Sequence, residues 1–198
     1  MKIVLATKNR GKAEEMKKIL KGLEVELFTL EDFPPMELPP EHGSTFTENA
    51  LVKARFVASR TNTISLADDS GLEVDALGGS PGIYSARYAG ENASDEDNNK
   101  KLLGELKGLP PEKRTARFKC VISLVSPEGT EVTFEGSFEG VIADAPKGEN
   151  GFGYDPLFFI PSEGKTSAEL PSEKKNEISH RGQALKKMQI WLENHKNF

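Results

Sequence analysis

Two adjacent carboxylates interrupt a mostly apolar stretch of the chain. Residues 64–72 read ISLADDSGL, so Asp68 and Asp69 follow small and apolar residues and precede Ser70-Gly71. Neighbouring side chains of a strand face opposite sides, so one of the two carboxylates would point toward a packed face and would need a partner. We expect the strand to end at this doublet and the chain to turn at Ser70-Gly71, where an Asp commonly caps the turn by accepting backbone N–H bonds. That capping role is the simpler alternative to a functional site.

Glu41, at the end of a proline-rich loop, is a further acidic candidate if the fold brings it to Asp69. Carboxylates without neighbouring His or Cys suit a hard ion such as Mg²⁺, which takes oxygen ligands and completes its shell with substrate phosphates and water. Lys53, on a predicted helix, is a candidate cation of the same set, although a single charge of this kind is most often solvated. Carboxylates for Mg²⁺ and cations for phosphate together indicate a nucleoside polyphosphate as the ligand.

A basic turn, TKNRGK at residues 7–12, lies between a predicted buried strand and a predicted helix. Free backbone N–H groups and the helix dipole favour an anion at such a position. The cations Lys8, Arg10 and Lys12 strengthen that interpretation. The alternative is a solvated basic turn, because the stretch lacks the Gly-x-x-x-x-Gly-Lys spacing of a P-loop.

Glycines and aromatic residues are mixed in GENGFGYDPLF, residues 148–158. Such a loop allows a flat ring to stack on a planar base while a nearby polar group reads the base edge, and hairpin packing is the alternative. Farther along, residues 178–182 read ISHRG and follow Lys174-Lys175. His180 and Arg181 together would donate to a carbonyl or a phosphate, whereas His180 alone is more often structural.

Hydrophobic spacing and turn signals predict the elements that must position these residues. In chain order they are a strand at 2–6, a helix containing Ala13, Met16, Ile19, Leu20 and Leu23, a strand at 24–28, a proline-rich loop at 31–44, a helix from about Thr45 to Arg60, strands at 63–67 and 72–77, a helix that begins with the capping box of Ser94 and Asp97, an antiparallel hairpin over 115–142 and a helix over 172–195. The hairpin is expected to form a second lobe. A parallel-type opening followed by an antiparallel hairpin predicts a mixed α/β protein with a cleft between lobes.

Composition narrows the class of function. The chain has 198 residues, 36% of them hydrophobic and 29% charged, which is typical of one globular domain over residues 1–198. A net charge of −5 argues against binding along a nucleic-acid polymer. The single cysteine, Cys120, is interpreted as a buried strand residue in a reducing compartment, with a catalytic thiol as the weaker alternative. Because no stretch approaches a membrane span or a signal-peptide core, we expect a cytoplasmic protein that does not enter a membrane.

Several of these stretches, in this order, resemble the inosine triphosphate pyrophosphatase family. The resemblance covers nearly the whole chain. It rests on ATKNRGK near the start, Glu41 with TFTENALVKAR, LADDSGLEVDALGGSPGIYSARYAG, NGFGYDPLFF and ISHRGQAL. It implies an α/β fold with an elongated mixed β-sheet flanked by helices, two lobes with a central cleft, a homodimer, and Mg²⁺-dependent hydrolysis of non-standard purine nucleoside triphosphates such as dITP, ITP and XTP to the monophosphate and pyrophosphate.

The resemblance also implies roles for individual residues. The expected catalytic base is Asp69, with Lys53 positioning phosphate or water. The expected metal residues are Glu41, Asp69 and Asp68. The expected substrate-binding residues are Thr7, Lys8, Asn9, Gly11 and Lys12 in the phosphate turn, Ser70, then Phe152, Gly153, Tyr154 and Asp155 in the base loop, and finally Lys175, His180 and Arg181. Lys8 stands where a small or uncharged residue is expected, so it either adds phosphate affinity or faces solvent.

Base choice is expected to follow from hydrogen-bond chemistry. Arg181 and a protonated His180 can only donate, so they match the 6-oxo acceptor of hypoxanthine or xanthine and not the 6-amino group of adenine. Two alternatives stay open, which are a pyrophosphatase for other modified nucleotides and a nucleotide-binding module without turnover.

Overall fold

The computed structural model describes residues 1–195 and 198. The strands are β1 (Lys2–Leu5), β2 (Glu26–Thr29), β3 (Ile64–Val74), β4 (Thr115–Val125), β5 (Glu131–Ile142), β6 (Phe158–Ile160) and β7 (Lys165–Thr166). The longer helices are α1 (Arg10–Ile19), α2 (Phe46–Thr61), α3 (Asp95–Glu105), α4 (Ser172–Ile178) and α5 (His180–Asn194). The predicted mixed α/β class is confirmed.

Within the described residues the strands form one seven-stranded sheet in the order β2-β1-β3-β4-β5-β6-β7. β1 pairs in parallel with both β2 and β3, whereas β6 pairs antiparallel with β5 and β7. The sheet is therefore parallel at its β2 end and antiparallel at its β7 end. The parallel end follows from the strand-helix-strand order of β1, α1 and β2.

The chain divides into two compact units. Unit 1 comprises Met1–Asp69, Cys120–Gly136 and Arg181–Phe198, and unit 2 comprises Ser70–Lys119 and Ser137–His180. The tip of the predicted hairpin belongs to unit 1 and its open end to unit 2, so the prediction that the hairpin forms a lobe of its own is wrong. The predicted single domain over 1–198 stays a prediction, and its residues Lys196 and Asn197 lie outside the described residues.

Helix starts follow the capping residues that the sequence offers. The Asn9 side chain accepts from Lys12 N at the start of α1, and the Thr45 side chain accepts from Glu48 N at the start of α2. Ser94 and Asp97 form the predicted capping box of α3. Each cap satisfies N–H groups that have no partner inside the helix.

Two predictions about the backbone are wrong. The chain does not turn at Ser70-Gly71, because β3 continues without a break from Ile64 to Val74. The C-terminal helix is not continuous either, because Ser179 has extended backbone angles and separates α4 from α5.

Both faces of the sheet are covered in unit 1, so side chains alternate between two cores along each strand. Ile3, Leu5 and Leu66 pack in a first core with α1 and α5, whereas Val4 and Ala67 pack in a second core with α2. Continuing this alternation along β3 places Asp68 on the face of the first core and Asp69 on the face of the second.

Candidate active site

Asp68 is held by two cations on the face of α1 and α5. Lys12 Nζ lies 2.9 Å from Asp68 Oδ1, and Arg181 donates to Asp68 Oδ2 from Nη2 at 2.8 Å and from Nε at 3.1 Å. Arg181 also donates from Nη1 to Glu15 at 2.5 Å. Burial alone would raise the pKa of Asp68, but Lys12 and Arg181 hold that pKa well below its usual range. Asp68 is therefore ionised at any ordinary pH, and its charge is matched.

Cys120 lies against the same carboxylate. Its Sγ is 3.7 Å from Asp68 Oδ2, and the residue is 1% exposed on β4. Burial, and then the negative charge of Asp68, raise the pKa of the thiol. The prediction of a buried strand cysteine is confirmed, and its thiol is poorly suited to nucleophilic chemistry.

Asp69 has a different environment on the α2 face. Lys53 Nζ lies 2.5 Å from Glu41 Oε1, 2.7 Å from the backbone oxygen of Asp68 and 3.9 Å from Asp69 Oδ1. Asn49 Nδ2 donates to Asp69 Oδ2 at 3.0 Å. The fold therefore brings Glu41 close to Asp69 with Lys53 between them, which meets the condition set for Glu41 in the sequence.

The charge of Asp69 is only partly compensated. Burial raises the pKa of Asp69 to about 6, because the attraction of Lys53 and Lys12 does not offset the desolvation and Glu41 adds repulsion. Glu41 is half-buried as well, but its direct bond to Lys53 lowers its pKa. Lys53 thus interacts with two carboxylates, and its contact with Glu41 is much closer than its contact with Asp69.

Asn49 is a site residue that the sequence reasoning missed. Its Oδ1 accepts from Gly43 N at 2.8 Å while its Nδ2 binds Asp69, so it ties the loop that carries Glu41 to the acid on β3. A Cβ at Gly43 would lie 2.7 Å from Asn49 Oδ1, so only glycine allows this approach. The available signal was the spacing, because Asn49 and Lys53 are polar residues four apart on the face of α2 that also presents Ala50 and Ala54.

The predicted phosphate turn joins β1 to α1 in unit 1. Thr7 Oγ1 accepts from Asn9 N at 3.1 Å, and Asn9 Oδ1 accepts from Lys12 N at 3.0 Å, so these side chains shape the turn. Gly11 lies in the first turn of α1, and Lys8 is exposed. Of the basic residues in this turn, Lys12 alone reaches the carboxylates described above.

A second polar group lies in unit 2 around the loop at residues 148–156. Lys175 Nζ lies 2.5 Å from Asp155 Oδ2, which also accepts from Phe152 N at 2.9 Å. The same ammonium lies 5.1 Å from the centre of the Phe152 ring. Asp155 and Lys175 are 3% and 5% exposed, whereas Phe152 is partly exposed. A buried ion pair therefore fixes the position of the loop that carries this ring.

The other predicted base residues have packed surroundings. Tyr154 is buried in the core of unit 2, and its hydroxyl donates to the backbone oxygen of Ser85 at 2.8 Å. The His180 ring stacks on Phe118 with 4.8 Å between centres. Ser70 is half-buried in β3. Phe152 is thus the aromatic ring of this loop that retains exposed surface for stacking.

Comparison with known proteins decides the family. The pattern described as the Ham1 family matches residues 3–191. The chain belongs to the Ham1 family.

Relatives of this Ham1 family member have names that state an activity. The "dITP/XTP pyrophosphatase" of Geobacter sulfurreducens is 58% identical over 184 residues, which cover 93% of this chain and 92% of that protein. The protein of the same name from Listeria monocytogenes is 54% identical over 188 residues, covering 95% of this chain and 93% of its own. The resemblance inferred from the sequence motifs is confirmed at the level of the family.

Solved structures agree with the fold. The Ham1 protein of Staphylococcus aureus has a TM-score of 0.87 at 46% identity, covering 98% of this chain and all of that one. A structure titled nucleoside-triphosphatase / dITP/XTP pyrophosphatase, from Mycobacterium abscessus, has a TM-score of 0.76 at 46% identity and covers 95% of this chain and 97% of its own. Among the described residues of this Ham1 family member, no helix is long and apolar enough to cross a membrane.

The donor set of this Ham1 family member suits a hard cation. Glu41 and Asp69 supply carboxylate oxygens, and burial raises the pKa of Asp69 in spite of Lys53 and Lys12, so a further cation would be favourable here. No group of three acidic, His or Cys residues that could hold a metal occurs in the described chain, so a cation here would need ligands from substrate and water. The oxygens of Asp68 already bind Lys12 and Arg181, so its place beside a metal stays a prediction.

Proposed function

We propose that this protein hydrolyses non-standard purine nucleoside triphosphates such as dITP, ITP and XTP to the nucleoside monophosphate and pyrophosphate. One observation carries the proposal. Asp69, a buried carboxylate whose pKa is raised to about 6, lies beside Glu41 and Lys53 in a chain whose relatives are named dITP/XTP pyrophosphatase. The enzyme class is therefore a hydrolase that acts on acid anhydrides.

In this proposal the triphosphate binds at the start of α1. Thr7 and Asn9 shape a turn before a ten-residue helix whose first N–H groups and dipole favour an anion. Gly11 keeps the backbone of that first turn accessible, and Lys12 adds a cation that is 16% exposed. Lys8 is exposed on the same turn and would add attraction at longer range.

We propose that Glu41 and Asp69 would hold Mg²⁺, with Asp68 at or beside the metal. The metal would neutralise phosphate charge and acidify a water molecule when bound. Lys53 donates to Glu41 and to the backbone oxygen of Asp68, so it ties Glu41 to the strand that carries Asp69. Removing the metal with EDTA should abolish turnover.

Asp69 is the proposed general base. Water attacks the α-phosphorus and its proton passes to Asp69, while the bond between that phosphorus and the bridging oxygen breaks and pyrophosphate leaves with the bonding pair. Without a metal, burial raises the pKa of Asp69 to about 6, so the carboxylate is mostly ionised at neutral pH and can accept a proton. Burial of Asp69 therefore serves the chemistry.

Base recognition is assigned to the loop of unit 2. Phe152 provides a stacking surface, and Lys175 and Asp155 hold the loop and offer polar groups for the base edge. Gly153, Tyr154 and Ser70 belong to the same proposed set. His180 can donate to a 6-oxo group, which favours hypoxanthine and xanthine over adenine. The contacts of Arg181 favour support of Asp68 over a direct contact with the base.

The experiment that tests this function is pyrophosphate release from ITP, XTP, GTP and ATP, each with Mg²⁺ and with EDTA. We expect metal-dependent release from ITP and XTP and at least about a hundredfold lower kcat/KM with ATP. Comparable turnover of all substrates would leave a hydrolase without the proposed base selection. Saturable binding without pyrophosphate release would replace the enzyme with a nucleotide-binding module.

We also propose a homodimer that acts in the cytoplasm on the free nucleotide pool, as the resemblance to the inosine triphosphate pyrophosphatase family implies. The mass in solution, measured by light scattering during gel filtration, tests the dimer. A monomer mass at micromolar concentration would contradict it.

A further inference from the structure

Helix α3 forms hydrogen bonds with the loop at residues 148–156 of unit 2. Asp95 Oδ2 accepts from Gly153 N at 2.7 Å, and Asn99 Nδ2 donates to Gly153 O at 3.0 Å. Asp95 and Asn99 are four residues apart in α3, so they lie on one face of the helix. Both backbone polar groups of Gly153 are thus bonded to the same helix.

The loop needs such support because its backbone is permissive. Gly148, Gly151 and Gly153 all have positive φ, in a region that glycine samples freely in both the ordered and the disordered state. Asp155 holds the loop through Phe152 N, and α3 holds it through Gly153. Phe152, whose ring is partly exposed, is held through its own N–H and is followed directly by Gly153, so its position depends on both attachments.

Asn99 is not placed for stability alone. Its Oδ1 is buried and has no hydrogen-bond partner among the described residues, which is unfavourable for an amide oxygen. That cost opposes the gain from the bond to Gly153. In Asn98, the preceding residue, both polar ends of the amide are hydrogen-bonded, because it accepts from Ala89 N and donates to Ala86 O.

We infer that Asp95 and Asn99 are positioning residues that fix Gly153, and through it the ring of Phe152, and so set the affinity and selectivity for the purine base. This inference rests on the proposed function. A loop fixed before binding loses less conformational freedom when the ligand arrives, and a fixed ring discriminates better between base edges. The phosphate end of the ligand does not depend on these contacts.

The test uses variants of the full chain and ligands that separate the two ends of the substrate. Asp95→Ala and Asn99→Ala each remove one attachment, and Asp95→Asn keeps an acceptor at the same place. Glu96→Ala and Lys100→Ala are matched controls, because both residues are exposed in the same helix and form a surface ion pair with each other. Calorimetry measures binding of IMP and of tripolyphosphate, which has no base, and hydrogen exchange follows residues 148–158.

We expect faster amide exchange in the loop, a roughly fivefold to tenfold weaker Kd for IMP, and an unchanged Kd for tripolyphosphate in the alanine variants. KM for ITP should rise in parallel while kcat changes little, and Asp95→Asn should recover part of the loss. The ratio of kcat/KM for ITP over ATP should fall. The control variants should match the wild type in every measurement.

Other outcomes would overturn the inference. Unchanged IMP binding in both alanine variants, or an equal loss for IMP and tripolyphosphate, would mean that α3 does not position the base loop. The same loss in Glu96→Ala would indicate general damage to the helix. A wild-type protein that neither binds IMP nor releases pyrophosphate would instead remove the proposed function and the inference with it.

Discussion

Adjacent aspartates of β3 have opposite electrostatic surroundings in unit 1. Asp68 faces Lys12 and Arg181, and its pKa is held well below the usual range. Asp69 faces Lys53, which it shares with Glu41, and burial raises its pKa to about 6. The charge of Asp68 is thus balanced by two close cations on one face of the strand, whereas Asp69 on the other face shares a single close cation with Glu41.

We propose that this difference separates a structural role, for Asp68, from a chemical one, for Asp69. A buried carboxylate with two cations is stable as it stands and has little to offer a further cation. A buried carboxylate with a shared cation favours either a proton or a metal ion, which is what a general base beside Mg²⁺ requires. The alternation of side chains along a strand is enough to place these two functions on consecutive residues.

The largest expected change in stability comes from Asp68→Asn. It would leave Lys12 and Arg181 buried without their shared carboxylate, which costs about 3–5 kcal/mol of unfolding free energy. Urea unfolding at pH 7 with EDTA measures it. Glu128→Gln, which removes an exposed charge in unit 1, is the control. A loss below about 1 kcal/mol would show that this ion cluster is not structural.

Asp69→Asn should stabilise the metal-free protein, with a definite pH dependence. The pKa of Asp69 is raised from 3.8 to about 6 in the folded protein, so the folded state binds this proton more tightly than the unfolded state. The resulting contribution of Asp69 to the free energy of unfolding is fully present below pH 4 and is lost as the pH rises through 6. Asn imitates the protonated form, so the variant should match the wild type near pH 4 and exceed it by roughly 2–3 kcal/mol above pH 7. Unfolding series in EDTA across this range test the sign. A variant less stable than the wild type at pH 7.5 would contradict the environment described for Asp69.

Asn49→Ala sharpens the comparison because it removes a neutral hydrogen-bond partner of Asp69 and leaves the partners of Asp68 in place. It breaks the bonds to Asp69 and to Gly43, so the loop with Glu41 loses its attachment. We expect kcat to fall about tenfold and the Mg²⁺ concentration for half-maximal activity to rise, because each broken bond to a charged or buried group has a modest cost. The thermal shift produced by Mg²⁺ without substrate provides a second measurement. Val52→Ala, at an exposed position of α2, should leave both unchanged.

Cys120→Ser should have the smallest effect. The thiol contacts Asp68 on the structural face, and its raised pKa keeps it protonated. We expect turnover within about twofold of the wild type and slow reaction of the native protein with thiol reagents. A large loss of turnover would show that the thiol itself takes part in the reaction.

Local signals in the sequence predicted much of the fold. The capping box of Ser94 and Asp97 and the apolar spacing of the first helices act over a few residues, and the structure confirms them. Ser70-Gly71 misled the prediction of β3, because the neighbouring strands of the sheet keep this pair extended where its local preference is a turn. Tertiary pairing of this kind is not visible in a short window.

The sequence predicted which residue types the candidate site contains better than it predicted which of these residues contact each other. Glu41, Lys53 and Asp69 meet, which the family resemblance implied and the sequence by itself left conditional. The pairing of Asp68 with Arg181 spans 113 residues, and the split of the C-terminal helix at Ser179 precedes it. Only the folded chain shows that Arg181 is bound to Asp68 and Glu15, and its contact with a base stays a prediction.

The most direct test of this account is pyrophosphate release from ITP by Asp69→Asn in the presence of Mg²⁺, with IMP binding measured on the same sample. We expect kcat to fall by a factor of roughly 10² to 10⁴ while IMP still binds and the protein stays folded. Turnover close to that of the wild type in a folded variant would contradict the assignment of Asp69 as the catalytic carboxylate.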